Sequence, residues 1–364
     1  MTAPRCAAVV AAAAAVGAAV GGGGLATGCR LDPPGASARA PATGPRVAPP
    51  RVELLSCLDL PRDDGRTHNL SGLAWDPATR TLLAISDKDK LLVELVPRAD
   101  FGAVSLGPAT ALDIDLDDWD GEALAIAGNR LLLVANETMP AVFSVDRSGR
   151  DPRRIELPAF PGIRHNVGLE GLGYFASSDG RFVFAVNEQA LAGDGDVSTT
   201  AHGTVVRILR HALDGGRADL EVAYLTEPVF AEGVPSDNGV SDLAPLSADR
   251  VLVLERGFVQ GKGNAIRIYD VDLRGAQNVM GFPDARAGIA VHKRLVVDLA
   301  RLPDHGCSPP PAPQTNRILE NYEGLAVGPR LDDGRRVLFL VSDDNFRLSQ
   351  IPRLIAVAVA PGAL

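Results

Sequence analysis

Acidic residues recur at two fixed places in a repeated unit of this sequence. In the stretch NYEGLAVGPRLDDGRRVLFLVSDDN, residues 321–345, one carboxylate opens an apolar run and another follows the end of the next run. Units of the same plan begin near residues 70, 120, 170 and 241. A period of roughly 40–50 residues with insertions is typical of repeat architectures. The opening acids, in the units that have one, are Glu122, Glu170, Asp242 and Glu323.

These acids could form a metal site if the fold brings them together. Like charges about 4 Å apart repel by about 4 kcal/mol at an effective dielectric constant near 20, so such a cluster must bind protons, cations or a metal ion. Carboxylate oxygens without paired Cys or His favour Ca²⁺, with Mg²⁺ as the alternative, and no organic cofactor is expected. The predicted metal ligands are Glu122, Glu170, Asp242, Glu323 and Asp343. Secondary acids at the ends of apolar runs are Asp87, Glu137, Glu188, Glu255 and Asp344.

Histidine and arginine residues near these acids are candidates for the catalytic chemistry. His165 lies shortly before the Glu170 opener and could act as a base or orient a water molecule. Arg256, together with Lys88 and Arg347, could hold a phosphate oxygen. The alternative is structural, because acids at strand ends often accept backbone N–H groups, and an arginine beside them can form an ion pair between neighbouring repeat units. The predicted catalytic residues are Glu170, His165, Glu323 and Arg256.

Each unit has the pattern of a β-hairpin. The apolar runs, such as LLLVA, FVFAV and VLVLE, are about five residues long and are bounded by Gly, Asp, Asn and Pro. This pattern predicts strands, and the segments DPATR, AGNR and SSDG between them predict turns. Because a hairpin returns to the end at which it began, the opening and closing acids should lie on one rim.

A third strand-like run follows each hairpin, and a fourth is expected. Four-stranded antiparallel blades around a channel make a β-propeller, and the first strand of each blade should line that channel. We therefore predict an all-β propeller with six blades. The repeated units supply five of them, and the segments Arg51–Leu60 and His292–Leu302 are expected to pair and close the ring as the sixth.

Four fragments of these units together resemble a known family. They are NYEGLAVGPRLDDGRRVLFLVSDDNF, NVGLEGLGYFASSDGRFVFAVNE, DLAPLSADRVLVLER and HKRLVVDL, and the resemblance covers roughly Asn69–Val359. The family is the one named for esterase-like activity of phytase, also called phytase-like. Tyr322 stands where the family motif usually has Phe, and LSQIPRL also departs from the pattern, but both lie beside the acids. The resemblance implies phosphoester hydrolysis, with an active centre at Glu122, Glu170, Glu188, Asp242, Glu255, Glu323, Asp343 and Asp344.

Composition limits the partners that this chain can have. The 364 residues carry a formal net charge of −9, and aromatic residues make up only 5% of them. A nucleic-acid partner is not expected, because such proteins need a basic face. The expected ligands are a cation and a small ester or phosphoester substrate, and the expected state is a monomer.

The N-terminal segment has the pattern of an export signal. Residues 1–29 combine a short basic start, a charge-free apolar stretch and LATGC, which resembles a bacterial lipobox ending at Cys29. We predict lipidation at Cys29, a Pro/Ala/Gly-rich tether over residues 30–51 and a propeller domain over residues 52–364. The protein would then be an exported, membrane-anchored lipoprotein on the periplasmic or cell-surface side. The alternatives are plain signal cleavage and an uncleaved anchor.

Two cysteines, Cys57 and Cys307, lie within the predicted propeller domain. An exported location permits a disulfide between them, and the alternative is two separate thiols.

Three functions fit this sequence. The first is an exported, metal-dependent phosphoester hydrolase, of phosphodiesterase or phytase-like type, which uses an acid-lined channel mouth and a metal-activated water. The second is a calcium-dependent carboxylesterase or lactonase built on a propeller. The third is a non-catalytic propeller that binds a ligand or partner. We favour an enzyme, because the acids are expected to converge on one rim, and the basic residues slightly favour the first function over the second.

Overall fold

The computed structural model describes residues 51–129, 131–138, 140–157, 160, 162–164, 167–215 and 217–364. Its strands form five antiparallel sheets of four strands each. Blade 1 contains β2 (Leu70–Asp76), β3 (Thr81–Ser86), β4 (Leu91–Pro97) and β5 (Val104–Ala111). Blade 2 contains β6 (Gly121–Ala127), β7 (Leu131–Asn136), β8 (Ala141–Asp146) and β9 (Arg153–Ile155). Blade 3 contains β10 (Leu169–Ser177), β11 (Gly180–Asn187), β12 (Val205–Ala212) and β13 (Arg217–Leu225).

The last two blades complete the ring. Blade 4 contains β14 (Ser236–Ser247), β15 (Arg250–Val259), β16 (Gly263–Asp272) and β17 (Lys293–Asp298). Blade 5 contains β18 (Tyr322–Arg330), β19 (Arg336–Ser342), β20 (Arg353–Val359) and, as its outer strand, β1 (Val52–Asp59). The inner strands β2, β6, β10, β14 and β18 each contact the next one around the ring, and β18 returns to β2. The predicted β-propeller is confirmed.

The predicted number of blades is wrong, since the described residues form five blades and not six. The segment expected to start a sixth blade is instead β17, which pairs with β16 as the outer strand of blade 4. The N-terminal segment β1 pairs with β20 and not with that segment. The first strand of the domain therefore supplies the last strand of blade 5, and this pairing joins the two ends of the ring.

Burial of both faces explains why the strands are apolar on both sides. In β19, Val337, Phe339 and Val341 pack into the core shared with blade 1. Leu338 and Leu340 of the same strand point to the opposite face and pack into the core shared with blade 4. Full burial of one such side chain contributes about 1.5–3 kcal/mol, so each blade is held by two apolar layers.

Glycine after the opening residue allows the inner strands to approach each other closely. A Cβ atom at Gly171 would lie 2.9 Å from the backbone nitrogen of Leu243 in the next blade. A Cβ atom at Gly324 would lie 2.3 Å from the backbone oxygen of Ser71. Packing of the inner strands around the axis thus requires the glycine of the Glu-Gly pair. The glutamate before it does not take part in this packing and can lie at the rim.

A disulfide joins Cys57 in β1 to Cys307, which lies between blades 4 and 5, with Cα atoms 5.2 Å apart. The bond forms although the segments Arg51–Leu60 and His292–Leu302 do not pair as expected, because β1 approaches Cys307 from its place in blade 5. Among the described residues, no helix is long and apolar enough to cross a membrane. The predicted signal peptide with Cys29, and all of the predicted tether except Arg51, lie outside the described residues.

Candidate functional site

The opening residues of the inner strands are set by a repeated irregularity of the ladder. The register between inner and second strand shifts at Glu122, Glu170 and Glu323, which leaves each glutamate without a partner in the ladder. Such β-bulges re-aim a side chain at the end of a strand. Ser71 and Ser241 lie at the corresponding shifts in blades 1 and 4. The sequence therefore places three carboxylates and two hydroxyls at the five opening positions.

The closing positions carry four acids and one arginine. In each blade the residue before the opener pairs with one residue of the second strand, and the closing residue follows that partner directly. In blade 4 the ladder continues beyond this point, so Arg256 is itself paired with Gly239. Because the hairpins are antiparallel, the closing residues come to the same rim as the openers. They are Asp87, Glu137, Glu188, Arg256 and Asp343.

All of these opening and closing residues except Ser71 and Ser241 line one cavity of about 400 Å³. It is strongly acidic, and its carboxylates come from Asp87, Asp120, Glu122, Glu137, Glu170, Glu188, Asp237, Glu323 and Asp343. Its basic side chains are Lys88, Arg256 and Arg347. Uncharged side chains complete the wall, including Val167, Gln189, Phe258, Asn321, Asn345 and Gln350.

The first group of acids in the cavity is Asp87, Asp120 and Glu122, which we call triad A. One carboxylate oxygen from each lies within 4.8 Å of the others. Lys88 forms ion pairs with two members, at 3.0 Å from Asp87 Oδ2 and in a short contact with Asp120 Oδ1. Thr138 Oγ1 also donates to Asp120 Oδ2 at 2.9 Å. Asp120 is absent from the predicted ligands, although its place directly before the Gly-Glu opener of blade 2 marks it.

The second group is Glu137, Glu170 and Glu188, which we call triad B. Its carboxylate oxygens also lie within 4.8 Å of one another. The backbone N–H of Gly168 donates to Glu137 Oε1 at 2.7 Å. Arg256 Nη2 donates to Glu188 Oε1 at 3.0 Å, so the arginine at the fourth closing position partly neutralises this triad.

Glu323 and Asp343 also line the cavity, as predicted for the two acids of the last unit. Glu323 accepts hydrogen bonds from Ser71 Oγ at 3.1 Å and from Asn321 Nδ2 at 2.8 Å, and Arg256 Nε lies 3.9 Å from it. Asp343 accepts the backbone N–H of Asn345 at 2.7 Å. Both carboxylates are therefore held in fixed orientations at the cavity wall.

Burial and mutual repulsion raise the pKa of several acids of the cavity. Burial, more than its acidic neighbours, raises the pKa of Asp87 to about 7. Burial raises the pKa of Glu188 to about 8 even though Arg256 opposes the shift. Burial, followed by the charge of nearby acids, holds the pKa of Glu122 and Glu170 well above the usual range of a glutamate. Without a bound cation, the cavity therefore retains protons near neutral pH.

Asp242 does not belong to this cavity, and its predicted role as a metal ligand does not agree with its position. In blade 4 the ladder shifts at Ser241, so Asp242 stands one residue later, where blades 3 and 5 have glycine. Its carboxylate accepts its own strand's Leu243 N–H and the Leu325 N–H of β18, each at 2.7 Å. It holds inner strands together below the rim.

Two of the predicted secondary acids also face other partners. Glu255 is paired within the ladder. Its carboxylate accepts hydrogen bonds from Tyr224 Oη at 2.6 Å and from Lys293 Nζ at 2.7 Å, and it does not line the cavity. Asp344 accepts His68 Nδ1 at 2.7 Å, outside the residues that line the cavity. His165 lies outside the described residues.

Comparison with known proteins identifies the family. The family model described as phytase-like, esterase-like activity of phytase, matches residues 66–346. The chain belongs to the phytase-like family. The resemblance found in the sequence is thereby confirmed, and the acids of triads A and B lie within the matched region.

Solved structures share only a distant likeness with this phytase-like chain. The PQQ-bound aldose sugar dehydrogenase of Streptomyces coelicolor is 12% identical and has a TM-score of 0.39, with 86% of this chain and 100% of that chain covered. The luciferin-regenerating enzyme is 14% identical and has a TM-score of 0.37, with 81% and 92% covered. No curated protein matches the chain. These structural similarities are too low to bear on the function.

The acid clusters of this phytase-like chain are suited to a metal ion. The donors of both triads are carboxylate oxygens, which hard divalent cations prefer. Among the described residues, Asp87 Oδ1 and Gln189 Oε1 are buried and have no hydrogen-bond partner, although both side chains line the cavity. A cation bound among these oxygens would supply the missing partner and offset the repulsion between the carboxylates.

Proposed function

We propose that this chain is a metal-dependent hydrolase of phosphoesters. One observation carries the proposal: two buried carboxylate triads and three basic side chains converge on the same cavity. The triads provide oxygen ligands for a divalent cation, for which Ca²⁺ is the first candidate. The basic side chains of Lys88, Arg256 and Arg347 provide positive charge for a phosphate group that the acids alone would repel.

Different residues of the cavity would bind the substrate and accept the proton in such a reaction. A bound divalent cation supplies Lewis acidity and lowers the pKa of a coordinated water. Arg256 is held from two sides, by Glu188 and by Asn321 Oδ1 at 3.1 Å, so its guanidinium is oriented before substrate arrives. Glu323, oriented by Ser71 and Asn321, is the carboxylate that we assign to accept the proton of the attacking water.

Phosphoesters are favoured over carboxyl esters by the arginine at the closing position of blade 4. The other four blades carry an acid there, and a metal site alone would need no arginine. Planar guanidinium groups bind phosphate oxygens with matched geometry, whereas a neutral carboxyl ester has no charge to match. The same acidic lining argues against a nucleic-acid partner, because a polyanion would be repelled.

Export is the second part of the proposal. The disulfide between Cys57 and Cys307 supports a location outside the cytoplasm, where such bonds persist. The sequence pattern that predicts an export signal ending at Cys29 points the same way, and lipidation there would add a membrane tether. Mass spectrometry of the mature N-terminus tests the tether: a diacylglyceryl-modified Cys29 is expected, and an unmodified N-terminus at another residue contradicts it.

The activity is tested with protein that has been dialysed against a chelator. Bis(p-nitrophenyl) phosphate, p-nitrophenyl phosphate and p-nitrophenyl acetate are assayed in parallel, with Ca²⁺ or Mg²⁺ added back. We expect no hydrolysis without metal, and hydrolysis of a phosphate ester when metal is restored. Equal rates with and without metal contradict metal dependence, and hydrolysis of the acetate alone favours the carboxylesterase function.

Two matched variants place the activity in the cavity. Glu323→Gln keeps the shape of the side chain and removes the proton acceptor, so we expect a loss of about 10²–10⁴-fold in kcat. Glu156→Gln makes the same change at an exposed residue outside the cavity and should leave kcat unchanged. Hydrolysis by Glu323→Gln at the native rate would refute the assignment.

A further inference from the structure

The two triads are separate groups that use different residues. Triad A combines Asp87, at the end of β3, with Asp120 and Glu122, which lie at the start of blade 2. Triad B combines Glu137, at the end of β7, with two residues of blade 3. Each triad therefore spans the boundary between two neighbouring blades, and the cavity offers two places where three carboxylates could surround a cation.

A lysine ammonium already lies at the first of these places. Lys88 Nζ is 3.0 Å from Asp87 Oδ2 and also contacts Asp120 Oδ1, so it bridges two of the three acids of triad A. The side chain of Lys88 is 51% exposed, and its ammonium sits on a flexible four-carbon stem. The ammonium can therefore leave the triad without any rearrangement of the buried acids.

Triad B has no comparable occupant among the residues that the structure describes. Arg256 touches only Glu188 of this group, and no described basic side chain forms an ion pair with Glu137 or Glu170. Gln189 follows Glu188, is 95% buried and lines the cavity, and its side-chain oxygen has no hydrogen-bond partner among the described residues.

Gly239 of blade 4 packs closely against Glu188 and Gln189. A Cβ atom at Gly239 would lie 3.0 Å from Glu188 Cγ and 3.3 Å from Gln189 Cγ. The glycine thus lets both side chains stand against blade 4 as they turn toward the cavity. The unpartnered, buried amide oxygen of Gln189, in the cavity that the three carboxylates line, is a further oxygen that a divalent cation could use as a ligand.

We infer that the cavity contains two cation positions, and that Lys88 occupies triad A as a tethered cation while triad B takes the divalent metal ion. This inference rests on the proposed metal dependence and adds its stoichiometry. The native protein should bind one divalent ion tightly. A second ion should bind tightly only when the ammonium is absent, because the two positive charges would compete for the same oxygens.

The test measures bound Ca²⁺ on the purified protein by isothermal titration calorimetry and by metal analysis after equilibrium dialysis. The variants are Lys88→Met, which removes the ammonium, and Lys262→Met, which removes an exposed lysine outside the cavity. We expect one tight ion in the native protein and in Lys262→Met. We expect two in Lys88→Met, with the second bound at least about tenfold more tightly than any second ion of the native protein. Lys88→Gln keeps a hydrogen-bond donor without the charge and serves the same test should Lys88→Met not fold.

The outcomes separate this inference from the proposed function. Two tight ions in the native protein, or one ion in both Lys88 variants, overturn the inference. Phosphate-ester hydrolysis by the native protein then shows whether the proposed function stands. A protein that binds no Ca²⁺ or Mg²⁺ in any form contradicts both. One ion in the native protein with two in the variants supports both.

Discussion

Glu170→Gln is the substitution that most clearly separates a metal site from a purely structural cluster. Glu170 is a buried member of triad B, and oxygens of Glu137 and Glu188 lie within 4.8 Å. The change keeps the shape of the side chain and removes its ability to carry a charge. We expect the metal-free protein to become more stable and its affinity for Ca²⁺ to fall.

The size of the effect follows from the cost of keeping this carboxylate in the cavity. Two unit charges 4.8 Å apart repel by about 3.5 kcal/mol at an effective dielectric constant near 20. Glu170 avoids part of this repulsion by retaining its proton, since burial and its neighbours raise its pKa well above 4.5. Keeping the proton at a pH above the unfolded pKa costs about 1.4 kcal/mol of folding free energy per pH unit. At each pH, Glu170 therefore takes whichever cost is smaller, that of the repulsion or that of keeping the proton.

The sign of the pH dependence is therefore fixed. Above pH 4.5 the folded state holds the Glu170 proton more tightly than the unfolded state does, so folding stability falls as pH rises. Glutamine does not titrate and escapes this loss. We expect Glu170→Gln to match the native protein near pH 5 and to exceed it by about 2–4 kcal/mol at pH 8, or about 4–8 °C in Tm.

Thermal unfolding with chelator present and Ca²⁺ titration by calorimetry measure the two effects. Glu156→Gln, at an exposed position, is the control and should change neither quantity. At saturating Ca²⁺ the order of stability should reverse, because only the native protein keeps all three ligands of triad B. A pH-independent loss of stability with unchanged Ca²⁺ affinity would show that Glu170 is structural.

Three further predictions concern the rest of the molecule. Asp242→Asn should lower the free energy of unfolding by about 1–3 kcal/mol, because an amide cannot accept all the backbone N–H groups that the carboxylate accepts. Calorimetry should find the Ca²⁺ affinity unchanged, and a loss of Ca²⁺ binding would restore the role of Asp242 as a ligand. Metal-free native protein should lose stability as pH rises from about 4 to 8, because burial raises the pKa of Asp87 to about 7 and of Glu188 to about 8. Saturating Ca²⁺ should flatten this pH profile in thermal melts, and a flat profile without metal contradicts the pKa shifts. The Cys57–Cys307 disulfide joins residues that are 250 positions apart, and its reduction should destabilise the domain by up to about 5 kcal/mol in the chain-entropy model. Equal urea midpoints for the oxidised and reduced protein would count against this.

The propeller could be predicted from the sequence because its repeats carry their own signals. Period-2 apolar runs and turn residues mark each hairpin, and the hairpin alone dictates that opening and closing acids share a rim. The number of blades could not be predicted in this way. The outer strands β1 and β17 lack the repeated acids, and which blade each strand completes depends on contacts that are distant in the sequence.

The ring of acids was predicted well where the residues sit at ladder ends and poorly where the register mattered. Glu122, Glu170, Glu323 and Asp343 all reach the cavity. In blade 4, Ser-Asp replaces Glu-Gly, and a sequence pattern cannot show which of the two residues takes the bulge. A shift of one residue turns a side chain to the other face of a strand, which is why Asp242 points away from the rim.

The central claim is that the acid cavity holds a divalent metal ion that serves hydrolysis. The most direct measurement is anomalous diffraction from a crystal of the native protein grown with Mn²⁺, a divalent ion that carboxylate oxygens bind well. We predict an anomalous peak within bonding distance of carboxylate oxygens of Glu137, Glu170 and Glu188. A cavity without such a peak at saturating Mn²⁺, in crystals whose protein still hydrolyses phosphate esters, would contradict the claim.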